Sequence, residues 1–478
     1  MTQQQKAWLL MAECQFEVSR KMNNKFWYFN HIDKKSTALI NELDEPVTYQ
    51  QLDDAIENFI ERLPNYQILV FLKVQNTYKS IVGYLACLRS KNPFLLIDSK
   101  IENSFLTQLI ETYSPNYLLE ELTLKKLKED KKTLHPDLAM LLSTSGSTGT
   151  PKLVRLSYEN ITSNTQSIVE YLGIRETDYT ITTLPMSYSY GLSIINTHLH
   201  AGASIVIDGH NFFEQKFWDK VKRHNVVTMA GVPFSYQLLK KLNYSRFDTS
   251  SIRYLTQAGG KLDTATLRYF HQECETLKQQ FIVMYGQTEA SPRMSYVPAN
   301  MAVEKLNSIG IAIPNGRLFL NDSDGTEITT PFVEGELTYI GPNVMLGYAE
   351  NALDLQKGDQ QNSLLATGDI GYFDEDSFFY ITGRTKRFIK LFGLRISLDE
   401  IDSWLAKNNI KAVTVGKDDL LTICHELATQ KLANETRKKT AKTFKINISC
   451  INVIIIDKVP RINGGKVDYK KLNSLAFN

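Results

Sequence analysis

The sequence has little that would place it outside the ordinary globular class. Its 478 residues include only five cysteines: Cys14, Cys87, Cys274, Cys424 and Cys450. They are far apart, odd in number, and show no Cys-x-x-Cys or metal-ligand spacing. That argues against a disulfide framework or zinc site and fits a reducing compartment. No run approaches the roughly 18 apolar residues that span a bilayer. The N-terminus has no basic stretch leading into a long apolar one. Leu9-Leu10-Met11-Ala12 is short and meets Glu13, so no secretory signal is expected and the protein is read as cytoplasmic. Net charge is nearly absent: 54 basic against 52 acidic residues leave +2, so no global field directs the chain to nucleic acid. Internal repeats and low-complexity tracts are missing too.

What is present is a globular chain. Hydrophobic residues at 43% and charged ones at 22% supply a core and rule out wholesale disorder. At roughly 150 residues per domain, the length suggests about three modules. Charge is unevenly spread. From Arg387 onward there are 17 Lys+Arg against 9 Asp+Glu, which leaves 37 against 43 before it. A basic C-terminal unit beside a mildly acidic body suits an anionic ligand held between them, or is a solvated lysine-rich surface.

Apolar strands alternate with helical patterns. Strands are predicted at Ile68–Val74, Phe94–Ile97, Leu138–Leu142, Ile181–Leu184, Ser204–Ile207, Val226–Met229, Tyr254–Gln257 and Ile282–Met284, with a helix over Thr77–Leu88. This alternation predicts α/β layers on parallel sheets. After about residue 300, glycines and short strands predict a β-rich subdomain through about Arg384. The last boundary is placed near Lys386, giving an N-terminal core over 1–385 and a small α+β C-terminal unit over 386–478. Ile396–Leu405 is a predicted helix in that unit and Val453–Ile456 a strand.

The densest signal is Thr144-Ser145-Gly146-Ser147-Thr148-Gly149-Thr150-Pro151-Lys152, directly after the strand Leu138–Leu142. Two glycines permit close backbone approach, and hydroxyls and N–H groups surround phosphate oxygens. Lys152 adds a cation. A Walker P-loop requires Gly-Lys-Ser/Thr five positions after its first glycine, opening a helix. Pro151 stands there instead, and Leu153–Leu156 reads as a strand. The helix begins only after Ser157, a predicted N-cap. The loop is therefore hairpin-like and not a P-loop.

On these residues the sequence resembles the adenylate-forming enzymes: acyl- and aryl-acid–CoA ligases, luciferases and nonribosomal adenylation domains. The Thr144–Lys152 loop matches that family's phosphate loop. Met284-Tyr285-Gly286-Gln287-Thr288-Glu289 resembles its Tyr-Gly-x-Thr-Glu stretch, which implies Tyr285 on adenine, Thr288 on the α-phosphate and Glu289 on Mg²⁺. Ala258-Gly259-Gly260-Lys261 resembles the turn lining the adenine pocket. Thr367-Gly368-Asp369 resembles the ribose site, and Gly383-Arg384 the Gly-Arg pair beside the nucleotide. Lys386 matches the hinge, and Pro460–Lys466 the loop carrying a catalytic lysine, here Lys466. The motifs run in family order from about Val47 to Lys471. Two departures stand out. Gly464 replaces a common Ser or Thr, and Tyr469-Lys470 stand where Arg is frequent. They leave the thiol acceptor open.

The resemblance implies that a carboxylic acid attacks ATP, giving an acyl adenylate and pyrophosphate. A pantetheine thiol, of CoA or of an acidic carrier protein, then displaces AMP as the C-terminal unit rotates. Residues 184–196 contain no carboxylate, which disfavours an α-amino acid, whose ammonium would need a partner. Tyr188, Tyr190, Phe234 and Met284 either line an apolar or aryl acid pocket or belong to the core.

Overall fold

The computed structural model describes residues 25–131, 133–143, 152–322, 324–384, 388–392, 394–460, 467 and 469–477. The chain is mixed α/β. Its predicted alternation of strands and helices builds two large sheets with helices between and around them.

One sheet has nine strands. Six of them, Gln280–Gly286, Tyr254–Gln257, Thr228–Gly231, Tyr179–Ile181, Ser204–Val206 and Thr37–Ile40, run parallel, with Arg293–Tyr296 and Ile311–Ala312 added antiparallel beyond Gln280–Gly286. The second has seven strands around a parallel centre of Leu138–Ser143, Phe94–Asp98, Val70–Val74 and Tyr117–Glu120. Parallel strands are covered on both faces, so their sequences read as continuous apolar runs and not as alternation. Leu138–Leu142 is accordingly buried throughout.

Leu138–Ser143 pairs antiparallel with Leu153–Ser157; the glycine and hydroxyl segment that joins them in the sequence lies outside the described residues. Ser157 then caps the helix Tyr158–Leu172, accepting from the Asn160 N–H at 3.0 Å. Such a cap contributes about 1 kcal/mol. A strand in place of a helix after the loop is what the P-loop comparison required.

Five antiparallel strands between Arg317 and Arg384 form a third sheet. Beyond it lie the hairpin Phe388–Leu391/Leu394–Ser397 and a three-stranded sheet, with a core of their own around Ile401, Leu405, Leu421 and Ile423. Several expected elements shift, among them the strand expected over Val226–Met229, which is observed at Thr228–Gly231. The helix expected over Ile396–Leu405 is Leu398–Lys407, because Ser397 caps it by accepting from the Glu400 N–H at 3.2 Å; Leu394–Ser397 is a strand. The strand expected over Ile181–Leu184 ends at Ile181. The Leu184 carbonyl instead accepts from Asn76 at 3.0 Å, just before Pro185, which has no N–H for a ladder. No helix among the described residues is long and apolar enough to cross a membrane.

Candidate active site

In an open parallel sheet, ligands settle beyond the carboxyl ends of the strands. Here those ends carry Gly259 and Gly260, after Tyr254–Gln257, and Gln287 and Thr288, after Gln280–Gly286. They line a cavity of about 780 Å³ together with Tyr188, Tyr190, Met284, Tyr285, Asp369 and Arg293. The C-terminal unit closes another side with Lys390, Val415–Asp418 and Tyr469.

Two glycines are required by their surroundings. Gly286 lies opposite Arg293 in the ladder, and a Cβ there would meet the Pro292 carbonyl oxygen at 1.9 Å. Gly259 sits at φ +86°, and a Cβ would meet the Tyr188 hydroxyl at 2.7 Å.

Asp369 is buried at 1% exposure. The Tyr285 hydroxyl donates to its Oδ2, and Gln287 Nε2 reaches the same oxygen at 3.2 Å and the Thr367 carbonyl at 2.9 Å. Thr367 Oγ1 in turn accepts from the Asp369 N–H at 3.1 Å. Two motifs distant in sequence thus meet on one carboxylate, and the backbone of Arg384 stands opposite that of Asp369 in the neighbouring strand. An ionised carboxylate held this way accepts from paired hydroxyls.

Glu289, 4% exposed, follows Thr288 in a short 3₁₀ turn. Its Oε1 accepts from the Tyr348 hydroxyl at 2.8 Å. The Tyr348 ring lies 3.8 Å from the Lys152 ammonium, which also faces Glu350 at 3.7 Å. Thr288 Oγ1 is 3.3 Å from Ser189 Oγ. Among the described residues no group of three or more His, Cys, Asp or Glu gathers as a cation site. A single buried carboxylate suits Mg²⁺, which takes one or two carboxylates and completes its shell with substrate phosphates and water.

Of the residues expected to line an acid pocket, Tyr190 is held by its hydroxyl, which donates to the Thr256 carbonyl at 2.9 Å and reaches Oγ1 at 2.8 Å. Burial raises the Tyr188 hydroxyl above its usual range, with the Arg293 charge opposing the shift. Met284 Sδ accepts from the Tyr171 hydroxyl at 2.9 Å. Phe234 does not line the cavity. It is 52% exposed and meets Phe392 edge to face, 6.1 Å between ring centres. Lys390 Nζ donates to the Gly259 carbonyl from the same C-terminal hairpin.

Comparison with known proteins agrees with this arrangement. The AMP-binding enzyme family matches residues 120–349. Over that segment the chain is similar to the AMP-binding, adenylate-forming enzymes. It is 29% identical to an oxalate–CoA ligase of Saccharomyces cerevisiae over 69% of this chain and 62% of that enzyme. The chain therefore matches less than two thirds of that relative's length. It is 25% identical to the 2-succinylbenzoate–CoA ligase of Bacillus subtilis over 90% of this chain and 93% of that enzyme. The fold is shared with the B. subtilis o-succinylbenzoate CoA synthetase. A double mutant bound to a product analogue superposes with a TM-score of 0.75 at 22% identity, covering 94% of this chain and 98% of the other. The complex with ATP and magnesium ion superposes at 0.66 and 23% identity, covering 94% and 99%.

In this chain, Gly259, Gly260, Lys261, Met284, Tyr285, Gly286, Gln287, Thr288 and Asp369 line one cavity with Tyr188 and Tyr190. Thr144, Ser145, Gly146, Ser147, Thr148, Gly149, Lys386, Lys466 and the Arg384 side chain lie outside the described residues. Two residues escaped the sequence reading. Tyr348 belongs to no motif, and only the pairing of Gly347–Ala349 with Leu153–Ser157 brings it to Glu289 and Lys152. Arg293 carried a faint signal, as a lone cation in the strand Arg293–Tyr296 shortly after Glu289.

Proposed function

We propose that the chain is an acid–thiol ligase that activates a carboxylic acid as its acyl adenylate and passes the acyl group to a pantetheine thiol, that of CoA. The observation that carries this reading is the meeting of Tyr285, Gln287 and Asp369 at the carboxyl ends of the parallel strands, beside Thr288 and Glu289. Adenosine lies between the Gly259-Gly260 turn and Tyr285, its ribose hydroxyls on Asp369.

Carboxylate and triphosphate repel each other, so the site must supply cations before they come into line. Lys152 and the Thr144–Gly149 backbone hold the phosphates at one end. Thr288 orients the α-phosphate, and Lys466 bridges it to the attacking carboxylate oxygen. Glu289, oriented by Tyr348, would hold Mg²⁺, which when bound neutralises phosphate charge. The carboxylate oxygen bonds to the α-phosphorus, the bond to the β-phosphate oxygen breaks, and pyrophosphate leaves. The thiol sulfur then bonds to the acyl carbon, and AMP departs with the mixed-anhydride electrons.

The N-terminal body over 1–385 and the unit from 386 exchange faces about Lys386 between the two steps. The contacts of Lys390 with Gly259 and of Phe392 with Phe234 support a working position in which the C-terminal hairpin closes on the acyl side. CoA is favoured as acceptor because both named relatives are CoA ligases.

ATP–pyrophosphate exchange over a panel of carboxylic acids with Mg²⁺ tests the first step. CoA offered against purified carrier proteins tests the second. Absence of exchange with every acid would remove the activating role. Exchange followed by loading of a carrier protein but not CoA would replace the acceptor alone.

A further inference from the structure

Two arginines are among the largest fully buried side chains, and their surroundings differ. Arg155 is saturated. Its guanidinium donates to the carbonyls of Tyr348, Lys357, Leu346 and Gly358 and to Gln360 Oε1. Arg293, 2% exposed, has no such set. Its Nε has no hydrogen-bond partner, and the guanidinium makes no ion pair among the described residues.

Burying a guanidinium without a counter-charge is costly, and it does not deprotonate to escape the cost. Arg293 is held there by backbone. Asn164 Oδ1 accepts from its N–H at 3.3 Å, and Asn164 and Asn343 both donate to its carbonyl. The Tyr190 ring covers one face of the guanidinium, 4.6 Å from Cζ to ring centre. The remaining edge borders the main cavity and a small recess of about 20 Å³ behind Tyr190.

Of the carboxylates lining the main cavity, Asp369 is engaged by Tyr285 and Gln287, and Asp418 is exposed and accepts from the Lys390 N–H at 3.0 Å. Neither serves Arg293. The side chain therefore presents an unmatched, desolvated cation to the acid side, one ladder position across from Gly286 and so close in sequence to Thr288.

Resting on the ligase reading above, we propose that the acid carries a second anionic group, a carboxylate by class, and that Arg293 pairs with it while the first carboxylate reacts. A fixed guanidinium edge matches a carboxylate's two oxygens. Arg293 is thus a specificity-determining residue, and a plain monocarboxylate would leave it unpaired.

The test is pyrophosphate exchange by the full chain with matched pairs of acids: aliphatic and aryl dicarboxylates, and the same skeletons with one carboxylate replaced by methyl. Dicarboxylates are expected to exceed their partners by about 100-fold or more in kcat/KM. Arg293→Gln is expected to erase that preference, chiefly through KM for the diacid, and Arg293→Lys to restore part of it. Wild-type exchange that favours the methyl partners overturns the inference and leaves the ligase reading standing. So does equal damage by Arg293→Gln to both members of a pair, since Arg293 would then serve the reacting carboxylate. No exchange with any acid overturns both. The wild-type comparison decides the matter even where the glutamine variant does not fold.

Discussion

Tyr348 donates its hydroxyl to the Glu289 carboxylate at 2.8 Å. Its ring meanwhile lies 3.8 Å from the Lys152 ammonium. One tyrosine thus joins the cation that ends the phosphate segment to the carboxylate proposed for Mg²⁺. Tyr348→Phe keeps the ring beneath Lys152 and removes only the hydrogen bond. A bond to a charged group contributes about 1.5–3 kcal/mol. Pyrophosphate exchange is expected to fall about tenfold or more, and the Mg²⁺ concentration for half-maximal exchange to rise. A magnesium titration that superimposes on wild type would remove Tyr348 from the metal site.

Lys466 is assigned the developing charge between carboxylate and α-phosphate. Lys466→Ala is expected to slow adenylate formation by about 100-fold or more, as for a lost transition-state contact, with an unchanged melting curve. Near-normal exchange would exclude this lysine from the chemistry.

Lys386 is proposed as the pivot for the unit whose hairpin touches Gly259 and Phe234. Proline fixes φ near −65° and resists rotation. Lys386→Pro should spare pyrophosphate exchange and abolish thioester release, measured as acyl-CoA by chromatography. Equal loss of both steps would argue against a rotating unit.

Acid lability follows from His198. Burial lowers its imidazole from the ordinary 6.5 to about 4, with its bond to the Ile194 carbonyl opposing the shift. The unfolded chain takes up the proton near 6.5, and the folded one holds off until about 4. Stability is therefore full above about pH 6.5 and falls as pH drops toward 4, by about 3 kcal/mol at most. Burial lowers His200 in the same direction, also to about 4. Urea midpoints at pH 7, 5.5 and 4.5 should decline, and His198→Gln should flatten the decline. A flat wild-type series would contradict the burial of a neutral imidazole.

Most of the strands beneath the site were legible as apolar runs. Tyr254–Gln257 was placed at its observed bounds, and Ser157 was recognised as a cap because its side chain acts on a backbone N–H three residues on. Such signals are local and survive in a linear reading. The shift of the helix at Leu398 reflects a cap at Ser397 competing with an apolar run that continues through Ile396. Phe234 shows the other failure. An aromatic near the pocket motifs suggests a wall, but its direction depends on the hairpin that packs against it.

From the sequence alone came the order of motifs, the hairpin character of the phosphate segment, the α/β class, and the reading of an adenylate-forming chemistry. The first three rest on residue types at short spacing, where backbone geometry and side-chain chemistry are settled within a few positions; the chemistry rests on the resemblance of the motifs to a known family. Tertiary structure decided which distant groups share a cavity: Tyr285 and Gln287 on Asp369, Tyr348 on Glu289, and Arg293 with no counter-charge among the described residues. Charge pairing is a property of through-space distance and desolvation. No spacing along the chain could reveal that one buried arginine is saturated by carbonyls and the other is left facing the acid side.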